Sequence, residues 1–161
     1  MKFRFVLPAL LLAFVTFASA SDSQASFEKL KALQGNWSGK AMDRDVQVSF
    51  RVTSGGSAVM SEIQGDEDMI TMFNLDGDRL MMTHYCGAGN QPRMVGTISP
   101  DGKSIRFDFL DATNVLPSQP GHMQRLTITM LDNDHHTESW EFINNDGKTE
   151  HHELFDLHRV K

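Results

Sequence analysis

The sequence is poor in the features that would tie a protein to disulfide bonds, nucleic acids or membranes. Among its 161 residues Cys86 is the only cysteine, which excludes an intrachain disulfide. The formal net charge of −6 at pH 7, without a basic stripe, argues against nucleic acid or an anionic lipid surface as a partner. The apolar run from Phe5 to Phe17 is shorter than the roughly 20 residues that a transmembrane helix requires. These absences leave one soluble domain as the simplest interpretation.

The N-terminal segment has the features of a secretory signal peptide. Lys2 and Arg4 precede the apolar run, and Ala18-Ser19-Ala20 has the small residues of a cleavage site. We therefore predict a signal peptide over 1–20, cleavage after Ala20, and a single folded domain over 21–161. No cysteine follows the apolar run to carry a lipid anchor. The expected location is the periplasm or the extracellular medium, with no membrane insertion after cleavage, and we expect a monomer.

A short helix is predicted before a series of strands. Ser23 to Leu33 carries apolar residues at helical spacing, with Ser26 as the expected N-cap. The period then changes, because Val46, Val48 and Phe50 alternate with polar residues, as in a strand with one buried face. About ten such segments follow one another between tight turns, with no second helical region. This pattern predicts an all-β fold, an antiparallel up-and-down barrel with a short N-terminal helix.

One hairpin and two irregular segments complete this outline. Asp76-Gly77 is a two-residue hairpin signal, which would pair Leu75 with Asp78 and Thr71 with Met82. Asp111 to Gly121 has two prolines and no periodicity, and is expected to form a lid or rim. Asn90-Gln91-Pro92-Arg93 interrupts a strand pattern, which indicates either a rim segment at the barrel mouth or a simple turn.

Three groups of residues resemble known barrel families. Gly35-x-Trp37, together with Arg159 in the last strand, resembles the calycins, which include lipocalins and fatty-acid-binding proteins. Gly35-Asn36-Trp37-Ser38-Gly39 is also similar to the opening of the nitrobindin-type haem barrels. Segments 75–80, 83–86 and 90–94 are similar to exported bacterial proteins of unknown function with a calycin-like barrel. The resemblance implies that Gly35, Trp37 and Arg159 close one end of the barrel, with the guanidinium over the indole ring. It implies no established activity.

The candidate binding residues are polar side chains that share strand parity with the apolar face. Successive strand residues alternate between the barrel interior and solvent. By this rule the candidate ligand-binding residues are His84, Cys86, His122, His136, His151 and Glu153. Buried groups of this kind cost roughly 1–3 kcal/mol each unless they find partners. We therefore expect a central cavity with a histidine-containing polar lining, which binds a small, largely apolar molecule.

Two histidine pairs in the sequence have the appearance of metal-binding tracts. They are His135-His136 and His151-His152. Adjacent strand residues point to opposite faces of a sheet, so neither pair is able to chelate an ion as a unit. His135 and His152 are expected to be solvated surface histidines.

Two other functions stay open at this point. One is a haem or metal protein that uses a cavity histidine, which the nitrobindin-like opening supports. The other is an enzyme that uses Cys86 with His84. The sequence has no nucleophile–base spacing, phosphate loop or metal motif, so no catalytic residue is assigned. The simplest alternative makes His84 a hydrogen-bonded lining residue and Cys86 an inert thiol.

Overall fold

Ten strands and one α-helix form across residues 22–65, 68–144 and 147–161, which are the residues that the computed structural model describes, except for the side chains of Glu150 and His151. The predicted signal peptide lies outside these residues. The elements are α1 (Asp22–Ala32), β1 (Gly35–Ala41), β2 (Arg44–Thr53), β3 (Ala58–Gln64), β4 (Met69–Asp76), β5 (Arg79–Tyr85), β6 (Gln91–Ile98), β7 (Ser104–Thr113), β8 (His122–Asp132), β9 (His135–Ile143) and β10 (Thr149–Arg159). Within the described part of the chain, no helix has the length and apolar character needed to cross a membrane.

The strands form one closed antiparallel barrel in which each strand pairs with its neighbours in sequence. The seam between β1 and β10 closes it, with Trp37 opposite Arg159 and Ala41 opposite Phe155. Closure removes the two unpaired strand edges that an open meander would leave. The predicted all-β barrel of about ten strands with a short N-terminal helix is confirmed.

The interior of the barrel is packed with apolar side chains supplied by alternate residues of the strands. Phe73 and Phe107 lie across the barrel from one another with ring centroids 5.3 Å apart, and both are buried. The remaining buried apolar residues of this core are Phe27, Leu30, Leu33, Trp37, Ala41, Val46, Val48, Phe50, Val59, Ile63, Leu80, Met82, Met94, Ile105, Leu126, Ile128, Trp140, Phe155 and Leu157. The helix contributes to the same core, so it packs against one end of the barrel.

This end of the barrel, which we call the closed end, is organised around Trp37 and Arg159. The guanidinium carbon of Arg159 lies 4.2 Å from the centroid of the indole ring. The same guanidinium donates hydrogen bonds to the carbonyl oxygens of Ala32, Gln34 and Asn133. The indole N–H donates to the carbonyl oxygen of Leu33, the residue after α1, at 2.8 Å. One arginine thus connects the end of α1, the residue before β1 and the turn between β8 and β9.

The β4–β5 hairpin differs in register from the prediction. Asp76 pairs with Arg79, so the turn residues are Gly77 and Asp78, and Gly77 takes a φ of 63°. Placing the glycine first in the turn puts the left-handed conformation where it costs least. Leu75 therefore pairs with Leu80 rather than Asp78. The predicted partners are wrong by two residues, which leaves every side chain on its predicted face.

Three smaller expectations also change. Ser26 is not an N-cap, because α1 begins at Asp22 and the Ser26 hydroxyl donates to the Asp22 carbonyl oxygen at 2.6 Å, one turn back. The segment that begins at Asn90 is only partly irregular, since β6 starts at Gln91. The predicted loop is shorter at its N-terminal side, since β7 continues to Thr113. The connection that remains spans 114–121.

Candidate functional site

The end of the barrel opposite α1, which we call the open end, has an apolar recess of about 240 Å³. The residues that line it are Met69, Cys86, Gly87, Ala88, Met123, Trp140, Phe142 and Glu153. Strands β4, β8, β9 and β10 and the loop between β5 and β6 supply these residues. We refer to this feature as the open-end recess. Its side chains are apolar except for the thiol of Cys86 and the carboxylate of Glu153.

Strand alternation and one irregularity position the lining. Trp140 and Phe142 are inward residues of β9, two apart, so both reach the same side of the sheet. Met123 faces Phe142 because the β8–β9 register shifts between Met123 and Arg125. Such a bulge leaves one residue unpaired and reverses the alternation beyond it. The bulge thus brings Met123 into the recess, where regular alternation from Leu126 predicts His122.

A second, more polar recess of about 590 Å³ adjoins the first and shares Met69 and Glu153 with it. The Glu153 carboxylate forms an ion pair with Arg44, and the side chain of Glu153 is 23% exposed. Asp45 and Gln64 also line this second recess. The open end therefore combines an apolar floor with a charged margin.

His84 lies behind the recess, one layer deeper in the barrel. Its ring is fully buried, with its centroid 4.8 Å from the Trp140 ring. Its Nδ1 is 2.9 Å from the hydroxyl oxygen of Thr71, while Nε2 has no hydrogen-bond partner among the described residues. Burial lowers the pKa of His84 from 6.5 to about 4, because desolvation disfavours the charged imidazolium. The ring is therefore neutral near pH 7.

A buried polar row along β9 fixes the recess floor. The indole N–H of Trp140 donates to Oε2 of Glu138 at 3.0 Å, and Oε1 of Glu138 lies 3.3 Å from Nε2 of His136. The ring of His136 lies nearly perpendicular to that of Trp37, with ring centroids 4.3 Å apart. The row thus runs from the closed end to the recess. Sequence parity places Glu138 on the interior face, but gives no indication that it orients Trp140.

A rim contact joins two loops of the open end. The buried side chain of Asn90 donates from Nδ2 to the Gly121 carbonyl oxygen at 2.8 Å, which connects segments 86–90 and 114–121. Asn114 adds a second link, from its Nδ2 to the Gly89 carbonyl oxygen at 2.6 Å. The Oδ1 atom of Asn90 has no hydrogen-bond partner within the described chain. Asn90 thus holds the rim, and the loop 114–121 is attached there rather than independent.

The structure separates the six candidate binding residues into groups. Cys86 and Glu153 line the open-end recess, and His84 lies behind its floor. His136 lies toward the closed end, between the rings of Trp37 and Phe50. The side chain of His151 lies outside the described part, although its backbone pairs with Phe142 as expected.

His122 has a different environment from the other candidates. It is half-buried and stacks on Phe109, with ring centroids 4.1 Å apart. Its Nδ1 lies 3.1 Å from the Met123 carbonyl oxygen, at the β8 bulge. A side chain that sequence reasoning did not select, Met123, lines the recess instead, and no residue near it signals the bulge.

Solved structures with this fold include the following two. The crystal structure of Rv2717c from M. tuberculosis matches with a TM-score of 0.57 and 17% identity, over 84% of this chain and 98% of that one. A protein of unknown function from the DUF3598 family (Npun_R4044) of Nostoc punctiforme matches with a TM-score of 0.55 and 12% identity, over 81% of this chain. This chain corresponds to 49% of the Nostoc protein. No protein-family model and no curated protein matches the sequence. These identities establish the fold alone.

Proposed function

We propose that this barrel binds a small, largely apolar molecule in the open-end recess. The observation that carries the proposal is the apolar lining at a barrel mouth, made by Met69, Met123 and Phe142 over the indole of Trp140. Mouths of β-barrels are common places for ligands, and ligand sites combine mostly apolar walls with a few polar groups. At about 240 Å³ the recess lies below the roughly 300–1,000 Å³ of drug-sized sites. The ligand is correspondingly small.

The polar groups around the recess suggest how such a ligand is oriented. Glu153 lies between the apolar recess and the charged one, and it forms an ion pair with Arg44. An uncharged molecule with one polar end would place its apolar part over Trp140 and its polar part toward Glu153. Adaptable methionine side chains suit a site that accepts related shapes. We also propose that the protein is exported with residues 1–20 removed, and that its barrel is related to those of the calycins.

The two alternatives have less support from the geometry. Coordination of haem or a metal ion would use the unpartnered Nε2 of His84, but this ring is fully buried against Trp140. A Cys86–His84 enzyme would need the imidazole as a base. An imidazole with a pKa of about 4 is a weak proton acceptor near pH 7. Both alternatives remain hypotheses. A Soret band would support haem binding, and selective alkylation of Cys86 would support the enzyme.

The binding proposal is testable with an uncharged apolar fluorophore, N-phenyl-1-naphthylamine, titrated into the folded protein. The expected result is saturable binding that Met123→Glu weakens by about tenfold or more, because the ligand would then bury a carboxylate against apolar surface. Met123→Leu, which nearly conserves volume, is expected to keep the affinity within a few-fold. A melting temperature for each variant verifies folding.

The matched control is Met42→Glu. Met42 is a methionine at the same end of the barrel, in the β1–β2 turn, but it is 56% exposed and does not line the recess. Its replacement is expected to leave the probe affinity unchanged. Equal losses in Met42→Glu and Met123→Glu would mean that charge, not the recess, governs binding. The proposal also fails if the unmodified protein shows no saturable binding.

A further inference from the structure

A cluster of two histidines and one aspartate lies on the outer wall of the barrel, away from the open-end recess. It consists of His135 at the start of β9, and Asp156 and His158 near the end of β10. His135 and His158 are direct cross-strand partners, and Asp156 is two residues before His158 on the same face. Their neighbours His136 and Leu157 point into the core. The three side chains therefore project outward together.

The three potential ligand atoms lie close to one another. Nε2 of His135 is 2.6 Å from Oδ1 of Asp156, and Nε2 of His158 is 3.8 Å from the same oxygen. All three ligand atoms lie within 4.8 Å of one another. The imidazole rings stack with centroids 4.1 Å apart at 21°. This parallel stack points two ring nitrogens at one carboxylate.

We propose that the His135–Asp156–His158 cluster binds a first-row transition-metal dication, with Zn²⁺ and Cu²⁺ as the best-suited ions. Zinc binds imidazole nitrogen and carboxylate oxygen at about 2.0–2.2 Å, so tetrahedral ligand atoms lie roughly 3.4 Å apart. The separations of 2.6 Å and 3.8 Å in the cluster lie below and above this value. Mg²⁺ and Ca²⁺ prefer oxygen ligands, so a site with two imidazoles selects against them. Three protein ligands leave a position for water.

The cluster has the freedom to complete this geometry. The side chains of Asp156 and His158 are 56% and 63% exposed, so small rotations toward a shared ion meet little resistance from packing. The side chain opposite Asp156 on β1 is Lys40, a cation that would repel a metal ion. Its Nζ is instead engaged by Asp45, at 2.6 Å from Oδ1. The Asp45 carboxylate thereby reduces the positive charge near the cluster.

The test is isothermal titration calorimetry of the untagged protein with ZnCl₂ near pH 7.5. One site per chain is expected, and His135→Ala and His158→Ala should each weaken binding by about tenfold or more. Loss of groups that merely support metal ligands already costs roughly 10–100-fold, so loss of a ligand should cost at least as much. MgCl₂ should give no saturable heat at the same concentrations.

The matched control is His152→Ala. His152 is also an exposed histidine on β10, but its Nε2 is hydrogen-bonded to the Ser139 hydroxyl at 2.8 Å. The proposal is supported if zinc affinity is unchanged in His152→Ala and is lost in His135→Ala and His158→Ala, because the zinc site then lies at the cluster. The proposal is overturned if Zn²⁺ does not bind, or if the three variants bind it equally. Metal-free melting temperatures verify folding, and neither result bears on the open-end recess.

Discussion

At the closed end of the barrel Arg159 donates to three backbone carbonyl oxygens and covers Trp37, whereas at the open end buried polar atoms lack partners among the described residues. These atoms are Nε2 of His84 and Oδ1 of Asn90, and a third such atom, Nδ1 of His136, lies beside Trp37 toward the closed end. Leaving a buried group unpaired costs roughly 1–3 kcal/mol. The closed end thus stabilises the barrel, and the open end retains polar groups that a bound water or ligand would satisfy.

The two ends also differ in the groups that meet there, although each has a recess, of about 370 Å³ beside Arg159 at the closed end and of about 240 Å³ at the open end. The closed end brings backbone segments together, since one guanidinium joins Ala32, Gln34 and Asn133. The open end is lined instead by long side chains, including Met69 and Met123, around a recess. Methionine side chains have several rotatable bonds and adapt to a changing shape. Substitutions should therefore be more costly at the closed end and along its seam than at the rim.

The largest expected effect is at Trp37. Trp37→Ala removes the ring that packs against Arg159 and lies nearly perpendicular to the ring of His136, and leaves a cavity beneath α1. We expect a loss of about 3–5 kcal/mol in the free energy of unfolding, measured by urea denaturation. The control is Tyr85→Ala at the open end, where the side chain is 51% exposed and the expected loss is below about 1 kcal/mol.

Comparable losses in these two variants would contradict the proposed difference between the ends. In that case the indole would not be a principal contributor to closure, and other contacts of α1, such as those of the buried Phe27 and Leu30, would hold the helix.

A second prediction compares two glycines. A Cβ atom on Gly39 would lie 1.7 Å from the Asp156 carbonyl oxygen, so the β1–β10 seam must separate to admit it. A Cβ atom on Gly121 would lie 2.6 Å from the Phe142 ring, a side chain at the edge of the recess. We expect Gly39→Ala to cost about 3 kcal/mol and Gly121→Ala about 1 kcal/mol, within the range for overpacking. Thermal unfolding of both variants gives the ranking, and the reverse order would show that the rim is the more rigid region.

The barrel itself was predictable because its determinants are local and periodic. Alternation in segments such as 46–52 specifies which face is buried, and turns at each end specify the order of strands. The His151–Phe142 pairing is also as predicted, with a register shift between Thr149 and His151. These features depend on neighbours in sequence, which a single chain displays directly.

The site was less predictable because it depends on irregularities and on cross-strand neighbours. Met123 enters the recess through a bulge for which no nearby residue gives a signal. His135 and His158 are far apart in sequence, and only the β9–β10 register brings them together. The contact from Asn90 to Gly121 likewise joins two loops. Parity therefore identified the buried histidines but not their partners.

The most specific prediction concerns the acid sensitivity of the open end. The pKa of His84 is about 4 in the folded protein and 6.5 when the side chain is solvated. Between these values the unfolded chain binds a proton that the folded chain does not, so stability present above pH 6.5 is lost as the pH falls. The slope is limited to about 1.4 kcal/mol per pH unit for one proton, which gives a loss of about 2 kcal/mol between pH 7 and pH 5.

His84→Gln should remove this part of the pH dependence, and His152→Gln, an exposed control on β10, should retain it. The comparison is confined to pH values of 5 and above, because carboxylates contribute at lower pH. Hydrogen bonds from Ser99 and Arg93 lower the pKa values of Asp101 and Asp111, respectively. Urea unfolding of the three proteins at each pH measures the slopes. An unchanged slope in His84→Gln would show that His84 titrates normally, and the buried layer behind Trp140 would then have to be open to water.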